Sequence, residues 1–177
     1  MRIRAVLLAT FVSAACGLAG DLPKPSDIPP LIKQLTAGNA KARTEAAREI
    51  GEIGLIKASY AKPAIPALMK AAESDKDPAV REAALIALGQ VDPDARQTMP
   101  TFLSALKDSS DEVKTGAALG VSHLGGDARD ALPELRKIRE ELNKRDQKER
   151  AKKGRLMQAV NEAMQTIQSS PKRPPKK

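Results

Sequence analysis

Tryptophan is absent from this 177-residue chain, tyrosine occurs once and phenylalanine twice. A base-stacking surface needs exposed aromatic rings, so nucleic acid is not expected as a partner. Cofactor pockets are usually lined with aromatics, and no cofactor is expected either. One cysteine and one histidine exclude a multi-ligand Cys/His zinc site and a disulfide framework. A Ser-His-Asp or Cys-His relay would have to use His123, and its neighbours Ser122, Gly125 and Gly126 carry no sign of a strained nucleophile turn. There is no glycine-rich phosphate loop, and no carboxylate pair stands apart as an acid/base couple. The expectation is a protein that is not an enzyme.

Long apolar runs are scarce too. One runs from Ala5 to Ala15, behind the cationic start Met1-Arg2-Ile3-Arg4. Its eleven residues fall short of the roughly 20 needed to span a bilayer, but they suit the apolar core of a secretory signal. Small residues follow. Gly17-Leu18-Ala19 before Gly20 fits a cleavage site, and residues 1–19 are expected to be a signal peptide of an exported, periplasmic or secreted protein. Ser13-Ala14-Ala15-Cys16 resembles a bacterial lipoprotein box, with Ser13 where leucine is usual, so lipidation at Cys16 is a second reading.

Beyond residue 20 the chain repeats itself. Ile28-Pro29-Pro30-Leu31, Ile65-Pro66-Ala67-Leu68, Met99-Pro100-Thr101-Phe102 and Leu132-Pro133-Glu134-Leu135 share one pattern, with prolines 37, 34 and 33 residues apart. Proline costs little in the first turn of a helix, where the amide has no intrahelical acceptor, so each marks the start of a first helix, A. The polar residues Asn39, Asp77 and Ser110 follow at a nearly constant offset, each able to cap a second helix, B. Ala42-Arg43, Val80-Arg81 and Val113-Lys114 then precede pairs of small residues. Helix B is expected to end at Ile50-Gly51, Leu88-Gly89 and Leu124-Gly125, with glycine as a left-handed cap. Val80, Ala84, Ala87, Leu88 and Val91 fall on one helical face.

Asp77-Pro78-Ala79-Val80-Arg81-Glu82-Ala83-Ala84 resembles the short bacterial HEAT repeat, with its Asp-x-x-Val-Arg-x-x-Ala pattern. The resemblance implies an all-α, right-handed solenoid of about four helical hairpins. The units would be 28–64, 65–98, 99–131 and a capping 132–168, within a repeat domain 20–168. Residues 169–177, rich in proline and lysine, are expected to be a disordered basic tail. The family likeness also implies a ladder between neighbouring units, drawn from the pairs Asn39/Arg43, Asp77/Arg81 and Ser110/Lys114. Some relatives of short HEAT repeats are bilin lyases. That enzyme reading is disfavoured by the missing aromatics and the export signal.

A solenoid presents an open surface rather than an enclosed pocket. In this family stacked B helices line the concave side. There the positions left free by the core are Thr44, Arg48, Glu52, then Glu82, Ile86, Gln90, then Thr115, Leu119 and His123. Ile86 and Leu119 are apolar in an otherwise polar strip, which suggests contact with a protein or peptide. Charge divides the chain. The formal net charge is +8, and nearly all of the basic excess lies in residues 132–177. That C-terminal third could meet an anionic membrane surface, or it could be a solvated face.

Overall fold

The computed structural model describes residues 22–92 and 97–171. The expected signal peptide, Cys16 and residues 172–177 of the basic tail lie outside that range. Among the described residues there is helix and turn but no strand. Hairpin one is α1 (Ile28–Ala37) with α2 (Ala40–Ala61), and hairpin two is α3 (Ile65–Ser74) with α4 (Pro78–Val91). Hairpin three is α5 (Met99–Ala105) with α6 (Asp111–Leu124). The fourth has α7 (Leu132–Asn143), a short α8 (Gln147–Lys152) and α9 (Gly154–Ser169).

Local chemistry sets the starts of these helices. A proline sits in the first turn of α1, α3, α5 and α7. Asn39 Oδ1 accepts from the Ala42 amide at 2.9 Å, Asp77 Oδ1 from Ala79 at 2.9 Å, and Ser110 Oγ from Val113 at 3.4 Å. Asp146 does the same for the fourth hairpin, accepting from Glu149 at 2.8 Å.

The helix ends depart from expectation. Among the described residues only Gly125 has a positive φ, 57°, and it does close α6, but with ψ −134° it is not the left-handed cap foreseen. The α2 helix passes straight through Gly51 and runs to Ala61, kinked at Lys57. The α4 helix passes through Gly89 to Val91. These glycines serve packing instead. A methyl group on Gly51 would sit 3.1 Å from Ala87 Cα, and one on Gly89 would lie 2.7 Å from Gly120 Cα. The fourth hairpin also differs from the others, because its second helix is broken between Lys152 and Gly154.

Two layers result. The B helices stack in the order α2, α4, α6, α9, and the A helices α1, α3 and α5 touch in turn behind them. A single apolar core runs through the stack, and it includes Leu68, Leu88, Phe102, Leu124, Leu135 and Ile167. Val80, Ala84, Ala87, Leu88 and Val91 are all buried. The connectors are packed as well, since Ala61, Ala64, Ala128 and Ala131 are fully buried.

Polar ties link successive hairpins. Arg43 holds Asp75 of the next unit through two hydrogen bonds, 2.6 and 2.7 Å, and donates a third to the Gly38 carbonyl. Arg81 repeats this more loosely with Asp108, at 3.4 Å. The acids of this ladder therefore lie two residues before the caps, where each also accepts from the amide of Asp77 or Ser110. On the A side, the Thr101 hydroxyl donates to Glu73 at 2.6 Å.

Candidate functional site

The α2 and α4 helices place Arg48, Glu52, Glu82, Ile86 and Gln90 around one cleft of about 160 Å³. Five of the nine residues read from the sequence are thus brought together. Ala83 and Ala87 form its floor, and Arg155 of α9 closes one side. Nothing in the repeat pattern pointed to Arg155, which belongs to the irregular fourth hairpin.

The other expected positions fare differently. Thr44 is half-buried, and its hydroxyl is spent on the Ala40 carbonyl of its own helix at 2.9 Å. Thr115 is 2% exposed rather than part of a free face. The reason is that α6 is flanked by α4 on one side and α9 on the other. Its hydroxyl donates to the Asp111 carbonyl at 2.7 Å. Leu119 packs partly against the core, so it is not the exposed apolar contact expected of it. His123 is exposed at the end of α6. Its pKa is held below the ordinary value because the neighbouring chain strips away part of its water, while Glu162 pulls the other way.

Glu82 was read as an exposed groove residue, yet only 9% of it is accessible. Gly116 of α6 explains this. Any side chain there would press on the Glu82 backbone at 2.8 Å and on its Cγ at 3.0 Å. The two helices therefore lie backbone against backbone, with the carboxylate folded between them and the cleft. Its counter-charge is the Arg155 guanidinium, which reaches it from α9 across α6. Lys153, just before α9, pairs with Asp111 of α6 at 2.5 Å. This side chain of the fourth unit thus meets the second unit over the third, along the face formed by the B helices.

Charge along α2 is acidic. Glu45, Glu49 and Glu52 are all exposed there. Partial burial, and the carboxylates of Glu52 and Glu45, raise the pKa of Glu49. The basic run of the fourth unit is partly consumed internally, with Lys152 on Glu149 at 2.7 Å besides the two ties above. A wider hollow of about 880 Å³ lies between α7, α8 and α9, open to solvent. No group of acidic, histidine or cysteine side chains able to hold a metal occurs among the described residues. No described helix is long and apolar enough to cross a membrane.

A repeated helical hairpin with capped B helices, a ladder between units and an open inner groove defines an α-solenoid scaffold. The family of HEAT repeats matches residues 28–97 and 65–152, and the chain belongs to that family. Among solved structures, a chain in the complex of CpcE and CpcF of phycocyanin lyase from Nostoc sp. PCC7120 is similar at 19% identity. That likeness covers 77% of this chain and 99% of that one, with a TM-score of 0.48. No curated protein matches the chain.

Proposed function

We propose that this protein is a non-catalytic scaffold that binds a protein, or an extended segment of one, along its inner groove, outside the cytoplasm. The observation that carries this reading is the cleft between α2 and α4. There Ile86 stands among Arg48, Glu52, Glu82 and Gln90, an apolar point ringed by groups that hydrogen-bond and carry charge. Such a pattern suits an extended segment whose backbone is met by polar side chains and whose apolar side chain is met by Ile86. The export part of the reading rests on the sequence alone, on Arg2, Arg4 and the Ala5–Ala15 run.

The test pairs Ile86→Asp with Arg48→Glu. Both residues border the cleft, and neither belongs to the buried core. Partners are first identified by crosslinking in the native envelope followed by mass spectrometry. The double variant is expected to lose their capture while the helical circular-dichroism signal stays unchanged. Retention of every partner would refute the groove. Intact mass of the purified protein checks the export step, with a mature chain starting at Gly20 expected. A mass showing acyl chains on Cys16 would instead make it a lipoprotein, and a chain still carrying residues 1–19 would contradict export.

A further inference from the structure

The last turns of α2 carry apolar surface that the core does not use. The α2 helix has 22 residues, whereas α4 and α6 have 14 each. Gly54 lies against Val91, the final residue of α4, since a methyl group on it would sit 3.2 Å from Val91 Cα. The turns after Gly54 therefore run past the end of the neighbouring B helix. Leu55 and Ile56 stand there 59% and 63% exposed, and Leu22 is the only other large apolar residue so open among the described ones.

Scattered single apolar residues are ordinary on a surface. Here two adjoin at a projecting point, and the chain turns straight after them. Lys57, with φ −153° and ψ 92°, kinks the helix. Its ammonium lies 4.6 Å from the centre of the Tyr60 ring and donates to the Tyr60 hydroxyl at 3.3 Å. Tyr60 in turn packs on the core, so a positive charge is held beside the apolar pair.

Charge in this stretch has one sign. From Ile53 to Ala72 the chain holds Lys57, Lys62 and Lys70 and no carboxylate. All three lysines are exposed, and none forms an ion pair among the described residues. The preceding acid, Glu52, borders the cleft together with Arg48. Aliphatic side chains rimmed by lysine match the boundary of an anionic bilayer, where apolar groups enter between headgroups and ammonium groups meet phosphates.

We propose that the Leu55–Ile56 end of α2 docks this protein on an anionic lipid surface, with both aliphatic side chains entering the interface and Lys57 and Lys62 meeting lipid phosphates. This surface is distinct from the α2–α4 cleft and from the basic C-terminal third, and it does not depend on the groove reading.

The experiment uses the chain from Gly20, which keeps every described residue and leaves out the Ala5–Ala15 run that would itself take up lipid. Binding to phosphatidylcholine vesicles, with and without phosphatidylglycerol, is read by cosedimentation. Leu55→Gln with Ile56→Gln is expected to weaken binding to the anionic vesicles at least about tenfold, since several methylene groups no longer leave water. Lys57→Gln and Lys62→Gln are each expected to weaken it about fivefold, the worth of one lysine near such a surface. Lys148→Gln with Arg150→Gln, on α8, is expected to change it by less than about twofold, as screened distant charges do. All of these side chains are exposed, and an unchanged circular-dichroism signal confirms that each variant folds. The chain has no tryptophan, so Ile56→Trp supplies a lone reporter whose emission should shift to the blue on the anionic vesicles. An unshifted emission from bound protein would overturn the insertion, and equal binding to both vesicle types would overturn the role of the lysines. A larger loss from the α8 pair than from the α2 variants would move the attachment to the fourth unit and sink the proposal. Should Leu55→Gln with Ile56→Gln leave vesicle binding intact but lower the mass of the free protein in sedimentation, the pair joins copies of the chain and lipid docking falls.

Discussion

Single side chains decide how the hairpins lock together, and Asp75 is the clearest case. Burial by itself would raise its pKa, but the hydrogen bonds from Arg43 and from the Asp77 amide outweigh that and hold it below the usual carboxylate range. The Arg43 side of the pair shifts the opposite way, upward, mainly through the same hydrogen bond to Asp75. A carboxyl with a lowered folded pKa binds fewer protons in the native state than in the unfolded one. Its contribution is complete above the unfolded value, near about 4, and fades as pH falls through the folded value below that. Asp75→Asn is therefore expected to lower the urea midpoint at neutral pH. The gap to the parent should narrow steadily below about pH 4. A gap of constant width across that range would show that the ladder does not titrate with folding. The Asp75 role was hidden in the sequence because Asp77, two residues on, fits the repeat pattern equally well. Only the path of the turn shows that one caps the helix and the other receives Arg43.

At the scale of helices, glycine separates two opposite outcomes. Gly89 lies where α4 meets Gly120 of α6, and the helix continues through it. Alanine is the better helix former by about 1 kcal/mol, yet a methyl group would overlap the Gly120 backbone. Overpacking at such a site costs typically 1–3 kcal/mol, so Gly89→Ala is expected to destabilise the fold on balance. Gly154, at the start of α9, has nothing within 4 Å of the place its methyl would take. Gly154→Ala is expected to be neutral or to stabilise by up to about 1 kcal/mol. Thermal unfolding of both variants checks the contrast, and equal effects would undo the packing argument. The prolines and caps of these helices could be read from the chain, because each acts on its own first turn. The roles of Gly51 and Gly89 could not. A glycine near the end of an apolar pattern looks the same whether it terminates a helix or admits a neighbour. The kink at Lys57 and the break before Gly154 were hidden for a related reason, since neither carries a proline.

Across the whole molecule, the groove is only half visible in the repeat pattern. Arg48 and Glu52 on α2, and Ile86 and Gln90 on α4, follow from counting positions left free by one helix. Glu82, Thr115 and Leu119 depend on the helices either side, and the count fails for them. Arg155 depends on curvature, a property of the stack that no single unit encodes. Curvature also bears on stability. In a stack whose units pack mainly on their neighbours, the end unit guards the one before it. Phe102, fully buried on α5, sits close to Gly120 of α6 and helps bind its own hairpin. Phe102→Ala is expected to cost about 3–5 kcal/mol and to move the urea midpoint of the entire chain in one step. A separate early transition for the third hairpin alone would show that the four units do not unfold together.

The glycines buried between α2, α4 and α6 have a mechanical consequence. Where two helical backbones already touch, no flexible side chain remains to be squeezed, so the inner layer resists being driven closer. The outer helices bury larger side chains, among them Leu35, Leu68 and Phe102. Such a coil should yield when stretched open and stiffen when compressed, like a spring already closed on its inner edge.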